Sequence, residues 1–338
     1  MILKALYDYY IRCKEVDPND IPPLGFEHIS VDMVLLISKN GELLEILGES
    51  DGILPRPATN KTSGDTPNIL YDKADYIINL DKKQKIVSQK ISKRCQTEID
   101  IINEICDMFP NNETFKSIQK FYSKKEFLKI PIKWEDKYDF ICKNDPIITF
   151  KILGESKLAS SYSEELEKYV RYIWDKNTKG RCLVTGKDNV PLMNTTASTP
   201  LGIATNGKII SFQKDMGIDS YNKTQGNNAP ISIEAECAFS YSLKALIRSS
   251  SNNFIFFKKD KDNKIIVDKM LIFWASKKEL ESQLYYWIQP KDNPNEQTTD
   301  IKDFFILDQN YAIIEVGHRP SSQLIRRGSL STIAPHRR

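Results

Sequence analysis

Lys223, Gln225, Asn227 and Asn228 fall within Ser220-Tyr-Asn-Lys-Thr-Gln-Gly-Asn-Asn-Ala-Pro230, a stretch with no aliphatic side chain larger than alanine. Nothing in it can build a core. It offers one ammonium, several side-chain amides that both donate and accept, a permissive Gly226 and a terminating Pro230. Such groups suit hydrogen bonding to an extended polar ligand, and nucleic acid is the obvious one. A plainer reading makes the stretch the approach to a helix, with Pro230 and Ser232 setting up a start at Glu234. The two readings are compatible, because a helix N-terminus itself favours anions.

A second polar loop, Asn60-Lys-Thr-Ser-Gly-Asp-Thr-Pro-Asn68, has similar chemistry. Lys61 provides a charge for a phosphate, Thr62 and Ser63 provide hydroxyls, and Asn68 an amide. Gly64 permits close backbone approach. The alternative is a surface loop between strands.

Other chemistries find little support. The 3 histidines are His28, His318 and His336, which makes a histidine triad or a His-rich metal site a poor fit. Cys182 in Cys182-Leu-Val-Thr-Gly186 resembles half a zinc knuckle, but no second Cys or His follows at ligand spacing. Gly202-Ile-Ala-Thr-Asn-Gly207 lacks the strand–glycine–helix context of a nucleotide loop and reads as a turn. The acid pairs Glu164-Glu165 and Glu279/Glu281 lie on polar helix faces, where solvation accounts for them. No catalytic site, metal or cofactor is expected.

The composition is that of an ordinary folded protein: 338 residues, 40% hydrophobic and 28% charged. No apolar run approaches the roughly 18 residues of a membrane span, and Met1–Tyr7 lacks the layout of a signal peptide. The 6 cysteines never form a CxxC pair and read as reduced thiols in a cytoplasm. The formal net charge is +3, but Arg319, Arg326, Arg327, Arg337 and Arg338 lie in a tail, Gly317–Arg338, that has no Asp, Glu or Lys. Without them residues 1–316 are slightly acidic, so nucleic-acid contact must come from local patches. The tail is either a basic arm or a disordered, non-native extension, and its abrupt change in composition favours the second.

Around the polar loops the sequence predicts an α+β fold with mixed short-strand sheets and several packed helices, one intertwined unit over 1–316. Helices are expected at 2–13, 82–108, 112–122, 163–174, 234–248 and 277–286. Strands are expected at 31–37, 43–47, 69–80, 181–185, 208–212, 254–258 and 269–274, with short strand pieces in 130–150. Asn40-Gly41 marks a hairpin turn.

Taken in order, several segments resemble one family. They are Met1-Ile-Leu-Lys-Ala-Leu-Tyr-Asp-Tyr-Tyr10, Lys61-Thr-Ser-Gly64 with Pro67-Asn68 and Leu70-Tyr-Asp72, Cys182-Leu-Val-Thr-Gly186, and Ser220-Tyr221, Gln225-Gly226, Asn228-Ala-Pro230, Ala238-Phe239 and Phe273-Trp-Ala275. The chain is similar over residues 1–276 to the large subunit of the type I-C CRISPR surveillance complex, Cascade. That resemblance implies a non-enzymatic subunit near the CRISPR RNA 5′ handle. Its partners would be a double-stranded DNA target, the crRNA, handle-binding and backbone subunits, and a recruited helicase-nuclease, with no membrane. It implies inspection of duplex DNA for the protospacer-adjacent motif and help in opening it, while guide pairing supplies sequence specificity. Lys61, Thr62, Ser63 and Asn68 would form one DNA contact loop, and Lys223, Gln225, Asn227 and Asn228 the other. The resemblance also implies a more basic, His-containing segment after Gly186, where this chain has Pro191-Leu-Met-Asn-Thr-Thr-Ala197, and a large helical C-terminal region that this chain is expected to lack.

Two rival classes remain. A purely structural docking subunit would use Tyr7, Tyr10, Tyr285, Tyr286 and Trp287 as anchors, although internal packing explains most of them better. A nuclease would need distant acids to meet in the fold.

Overall fold

The computed structural model describes residues 2–18, 21–58, 66–197, 208–210, 212, 223–259, 263, 265–275 and 311–317. The chain opens with α1 (Ile2–Val16), whose Leu3, Leu6 and Tyr10 form a buried stripe at helical spacing. Its partner arrives late in the sequence. Between them the chain makes a long excursion, so it divides into two compact units: Pro22–Asn177, and Met1–Ile21 together with Thr178–Arg338. The reason is that each unit closes its own hydrophobic cluster.

The inserted unit contains β1 (Phe26–Val31), β2 (Met33–Ile37), β3 (Leu43–Leu47), β4 (Ser50–Pro55) and β5 (Tyr71–Lys73). These are followed by α2 (Ala74–Ile77), the small hairpin β6 (Leu80–Asp81) and β7 (Ile86–Val87), α3 (Lys93–Met108), α4 (Glu113–Ser123), α5 (Ile130–Lys133), α6 (Glu135–Asn144), β8 (Ile147–Ile152) and α7 (Glu164–Asp175). Its main sheet has the order β3-β2-β8-β5, with β2 and β8 parallel and the other pairs antiparallel. Leu35 and Ile37 pack with Ile102, Ile118, Phe121 and Phe150, while Val34 joins Val31, Leu54, Tyr71 and Leu158 in a second cluster. A strand covered on both faces reads as a continuous apolar run, as Met33–Ile37 does.

Gly41 makes the β2–β3 turn with φ +79°, and its N–H donates to Ser38 O at 2.8 Å. A Cβ there would meet the backbone nitrogen of Phe121 at 2.5 Å, so the glycine also lets α4 close on the turn. The expected helices at 112–122 and 163–174 are present, capped by Asn112 and Ser163.

Three expectations fail in this unit. Of the predicted 69–80 strand only Tyr71–Lys73 and Leu80 are extended; Ala74, Tyr76 and Ile77 are buried in α2, and a fully buried apolar run has no period to separate helix from strand. In 130–150 only β8 is a strand. The Ile130-Pro-Ile-Lys-Trp134 start, which reads as strand, is helical because Pro131 fits a first helical turn and Ile130 and Ile141 are buried. The helix predicted from 82 starts only at Ser92, whose side chain accepts from Cys95 N. Before it, Asp81 Oδ1 accepts from Lys83 N and Gln84 N, bending the chain into the β6–β7 hairpin.

The outer unit continues with β9 (Lys179–Gly180), β10 (Val190–Pro191), α8 (Ile233–Arg248), β11 (Asn253–Lys259), β12 (Ile265–Ala275) and β13 (Tyr311–Gly317). The last three form an antiparallel sheet of order β11-β12-β13. Helix α8 packs on α1: Ser242 Oγ donates to Leu6 O at 2.8 Å, and Tyr10 meets Tyr241 edge-on at 5.6 Å. The predicted helix at 277–286 lies outside the described residues. The α+β class stands.

Candidate nucleic-acid interface

Gln225–Asn228 forms one 3-10 turn, with Gln225 at φ +45°. Gly226 N donates to Asn194 O at 2.9 Å, and a Cβ on Gly226 would lie 2.1 Å from Met193 O. Glycine is required here because two backbone segments touch. Asn228 Nδ2 donates back to Gln225 O at 3.1 Å and to Lys223 O at 3.3 Å, so its amide shapes the turn. Lys223 is exposed and Asn227 half-exposed, and neither side chain has a hydrogen-bond partner among the described residues.

The Cys182–Gly186 element supports the same turn. It is a tight turn and not the strand expected at 181–185: Gly186 N donates to Cys182 O at 2.8 Å and Gly186 has φ +73°. A left-handed glycine ends any extended run. Leu183 N donates to Pro230 O at 2.9 Å, and Met193 N donates to Ile231 O at 3.0 Å. Two segments with separate family likeness in the sequence thus form one surface.

Beneath it, Cys182 is fully buried, and Ser232 N donates to its sulfur at 3.3 Å. Burial alone would raise the Cys182 thiol, but hydrogen bonds from Ser232 and Thr185 hold it below the usual thiol range. The zinc-knuckle look of Cys182–Gly186 therefore has a structural cause: the sulfur accepts bonds at the start of α8. Ser232 also caps that helix, its Oγ accepting from Ala235 N at 3.2 Å. Among the described residues no three His, Cys, Asp or Glu side chains gather as a metal site would require.

The neighbouring Pro191–Ala197 segment is pinned from the opposite side. Buried Glu236 accepts from Ala197 N at 2.7 Å and from Ser240 Oγ at 2.8 Å. Thr196 Oγ1 donates to Ile210 O at 2.7 Å, and Lys208 Nζ to Thr195 Oγ1 at 2.8 Å. Burial lowers the Lys208 pKa, while the Glu236 charge opposes that shift.

One feature of the surface escaped sequence reasoning. Leu183 is 58% exposed although its neighbours Cys182 and Val184 are buried. Arg181 and Lys187 stand exposed on either side of it. The pattern Arg-Cys-Leu-Val-Thr-Gly-Lys is apolar at 182, 183 and 184 alike, so it does not mark which of the three faces outward.

The other proposed loop belongs to the inserted unit. Lys61, Thr62 and Ser63 lie outside the described residues. Asn68 is 7% exposed; its Oδ1 accepts from Ala58 N at 3.0 Å and its N–H donates to Asp72 Oδ2 at 2.8 Å. In this arrangement Asn68 closes the base of the loop. Tyr10 is 4% exposed and meets Tyr241, and Tyr7 is half-buried against the cluster of Leu3 and Leu6, so both aromatics pack internally; Tyr285, Tyr286 and Trp287 lie outside the described residues.

A family model described as CRISPR-associated protein (Cas_Csd1) matches residues 6–325. The chain belongs to this family, in agreement with the resemblance read from the loops. Membership places it among CRISPR-associated defence proteins. The match runs beyond residue 276 and past Gly317 into the arginine-rich segment. No curated protein matches the chain. Among the described residues no helix is long and apolar enough to cross a membrane.

Proposed function

We propose that the chain is a non-catalytic large subunit of a type I-C, crRNA-guided Cascade complex in the cytoplasm. It inspects duplex DNA for the protospacer-adjacent motif, helps open the duplex and helps recruit the helicase-nuclease. The observation that carries this reading is the Gln225–Asn228 turn, held by the Gly226–Asn194 contact, with the side chains of Lys223 and Asn227 bonded to no other described residue. Lys223 suits a phosphate, and Asn227 suits a base edge. Leu183, the apolar tip beside them, suits insertion between base steps during opening. In the inserted unit Lys61, Thr62 and Ser63 would contribute backbone contacts.

The test is target binding by the reconstituted complex carrying Lys223→Ala or Asn227→Ala. Lys223→Ala should weaken binding evenly across sequences and reduce the salt slope by about 1. Asn227→Ala should relax motif preference, each base contact being worth ~1–3 kcal/mol. Unchanged affinity, salt slope and preference in both variants would leave a structural docking subunit as the better reading.

A further inference from the structure

A second charged surface lies in the inserted unit, in a segment that the motif reading passed over. Residues 82–94 contain Lys82, Lys83, Lys85, Lys90, Lys93 and Arg94 and no Asp or Glu. The structure sorts these cations into two groups. Lys82 bridges Asp75 and Asp145, both at 3.0 Å, and Arg94 meets Asp75 at 2.6 Å. Burial alone would lower the Lys82 ammonium, but its bonds to Asp145 and Asp75 raise it overall. Lys83, Lys85 and Lys90 are instead exposed, and none has an ion-pair partner among the described residues. Helix α6 touches the hairpin through Tyr138, yet its Glu135, Asp136 and Asp139 pair with none of these lysines.

The surface is held in shape. Tyr138 Oη donates to Lys85 O at 2.7 Å, and Lys125 Nζ donates to Gln89 O at 3.2 Å. Asn79, 1% exposed, bonds through Nδ2 to Ser88 O and Lys90 O and accepts from Ser92 N, at 2.8, 3.0 and 2.9 Å. Lys83 and Lys85 are two residues apart, within roughly 7 Å of chain, and Lys90 follows where Asn79 fixes the backbone. Exposed like charges on one fixed stretch of chain attract a polyanion. Lysines supply point charges without the planar fork that arginine uses for bidentate recognition, and residues 82–94 contain no aromatic ring for stacking a base. This is the chemistry of backbone binding without sequence reading.

We propose that Lys83, Lys85 and Lys90 form a sequence-independent binding surface for a phosphodiester backbone, separate from the Lys223–Asn228 turn. The inference rests on the chain's place in a nucleic-acid complex but not on motif reading by that turn. The test uses the reconstituted complex with Lys83, Lys85 and Lys90 all changed to Ala, and a companion with all three changed to Arg. Target affinity is measured against salt for motif-bearing and scrambled duplexes, and crRNA retention is measured in parallel. If the strand is DNA, the alanine variant binds both duplexes more weakly. Its log–log salt slope drops by up to about 2.7, motif preference is unchanged, and the arginine variant restores binding. If the strand is the guide, crRNA retention weakens and its own salt slope drops instead, which supports the same surface. Unchanged DNA affinity, salt slope and crRNA retention would overturn the proposal, as would loss of a protein subunit with all three unchanged. Loss of motif preference in the Asn227 variant alone bears on the turn and not on this surface.

Discussion

The amide of Leu183 donates to the carbonyl of Pro230 at 2.9 Å, which ties the exposed tip of one loop to the end of another. Together with the Gly226–Asn194 bond at 2.9 Å, it makes one surface from segments far apart in sequence. Disturbing either joint should move the surface without removing a single polar side chain.

Gly226→Ala provides that test. The new Cβ would lie 2.1 Å from Met193 O, so the turn must shift away from Met193–Asn194. Target binding by the assembled complex should fall by about tenfold, equivalent to ~1.4 kcal/mol. Equilibrium binding measures it, and hydrogen exchange at Gly226 and Asn227 should rise in parallel.

Leu183→Ser should separate opening from capture. An exposed leucine contributes little to folding, so the melting temperature should change little. Binding to a closed duplex should weaken, while binding to a target already unpaired beside the motif should not. Equal affinity of variant and parent for the closed duplex would remove Leu183 from the mechanism.

Ser232→Ala should destabilise the outer unit by about 1 kcal/mol through loss of the α8 cap. Its backbone N–H would still reach Cys182 Sγ, so the turn above should keep its position. Thermal melting and DNA affinity report the two effects independently.

Glu126 gives a pH signature in the inserted unit. Its Oε2 accepts from Leu43 N at 3.1 Å and its Oε1 from Lys129 at 2.6 Å. Burial alone would raise this carboxyl, but the bonds from Lys129 and Leu43 prevail and its pKa is lowered. With the folded value below the unfolded one of about 4.3, the unfolded state takes up the proton first as pH falls. The stabilisation is therefore full above that value and is lost as pH falls through the folded one. Glu126→Gln should cost ~1–3 kcal/mol near neutrality, and denaturant melts of variant and parent should converge at low pH.

The helices whose ends carry a chemical mark were legible in the sequence. Ser232 caps the helix it was expected to set up, the helices expected at 112–122 and 163–174 carry caps at Asn112 and Ser163, and Gly41 turns the hairpin its Asn-Gly pair announces. Segments whose apolar residues are buried all round, such as Ala74–Ile77, were not legible, because they lack a periodic polar face. At the site, the chemistry of Lys223 and Asn227 was readable from composition. Asn228 and Asn68 are the same residue type as Asn227, yet both commit their amide groups to nearby backbone, which composition does not show. The outward position of Leu183, and the lack of an ion-pair partner for Lys83, Lys85 and Lys90 among the described residues, likewise show only in the fold.

The pairing of α1 with α8 also sets a timetable for synthesis. Leu6 cannot receive its bond from Ser242 until the ribosome has made everything between them. At ~5–20 residues per second the first helix waits on the order of ten seconds or more with its apolar stripe uncovered. The Pro22–Asn177 unit emerges whole during that interval and has its own core to close. A nascent chain stalled just before α8 should therefore hold a folded insert behind a sticky, unpaired leader, a natural client for a chaperone.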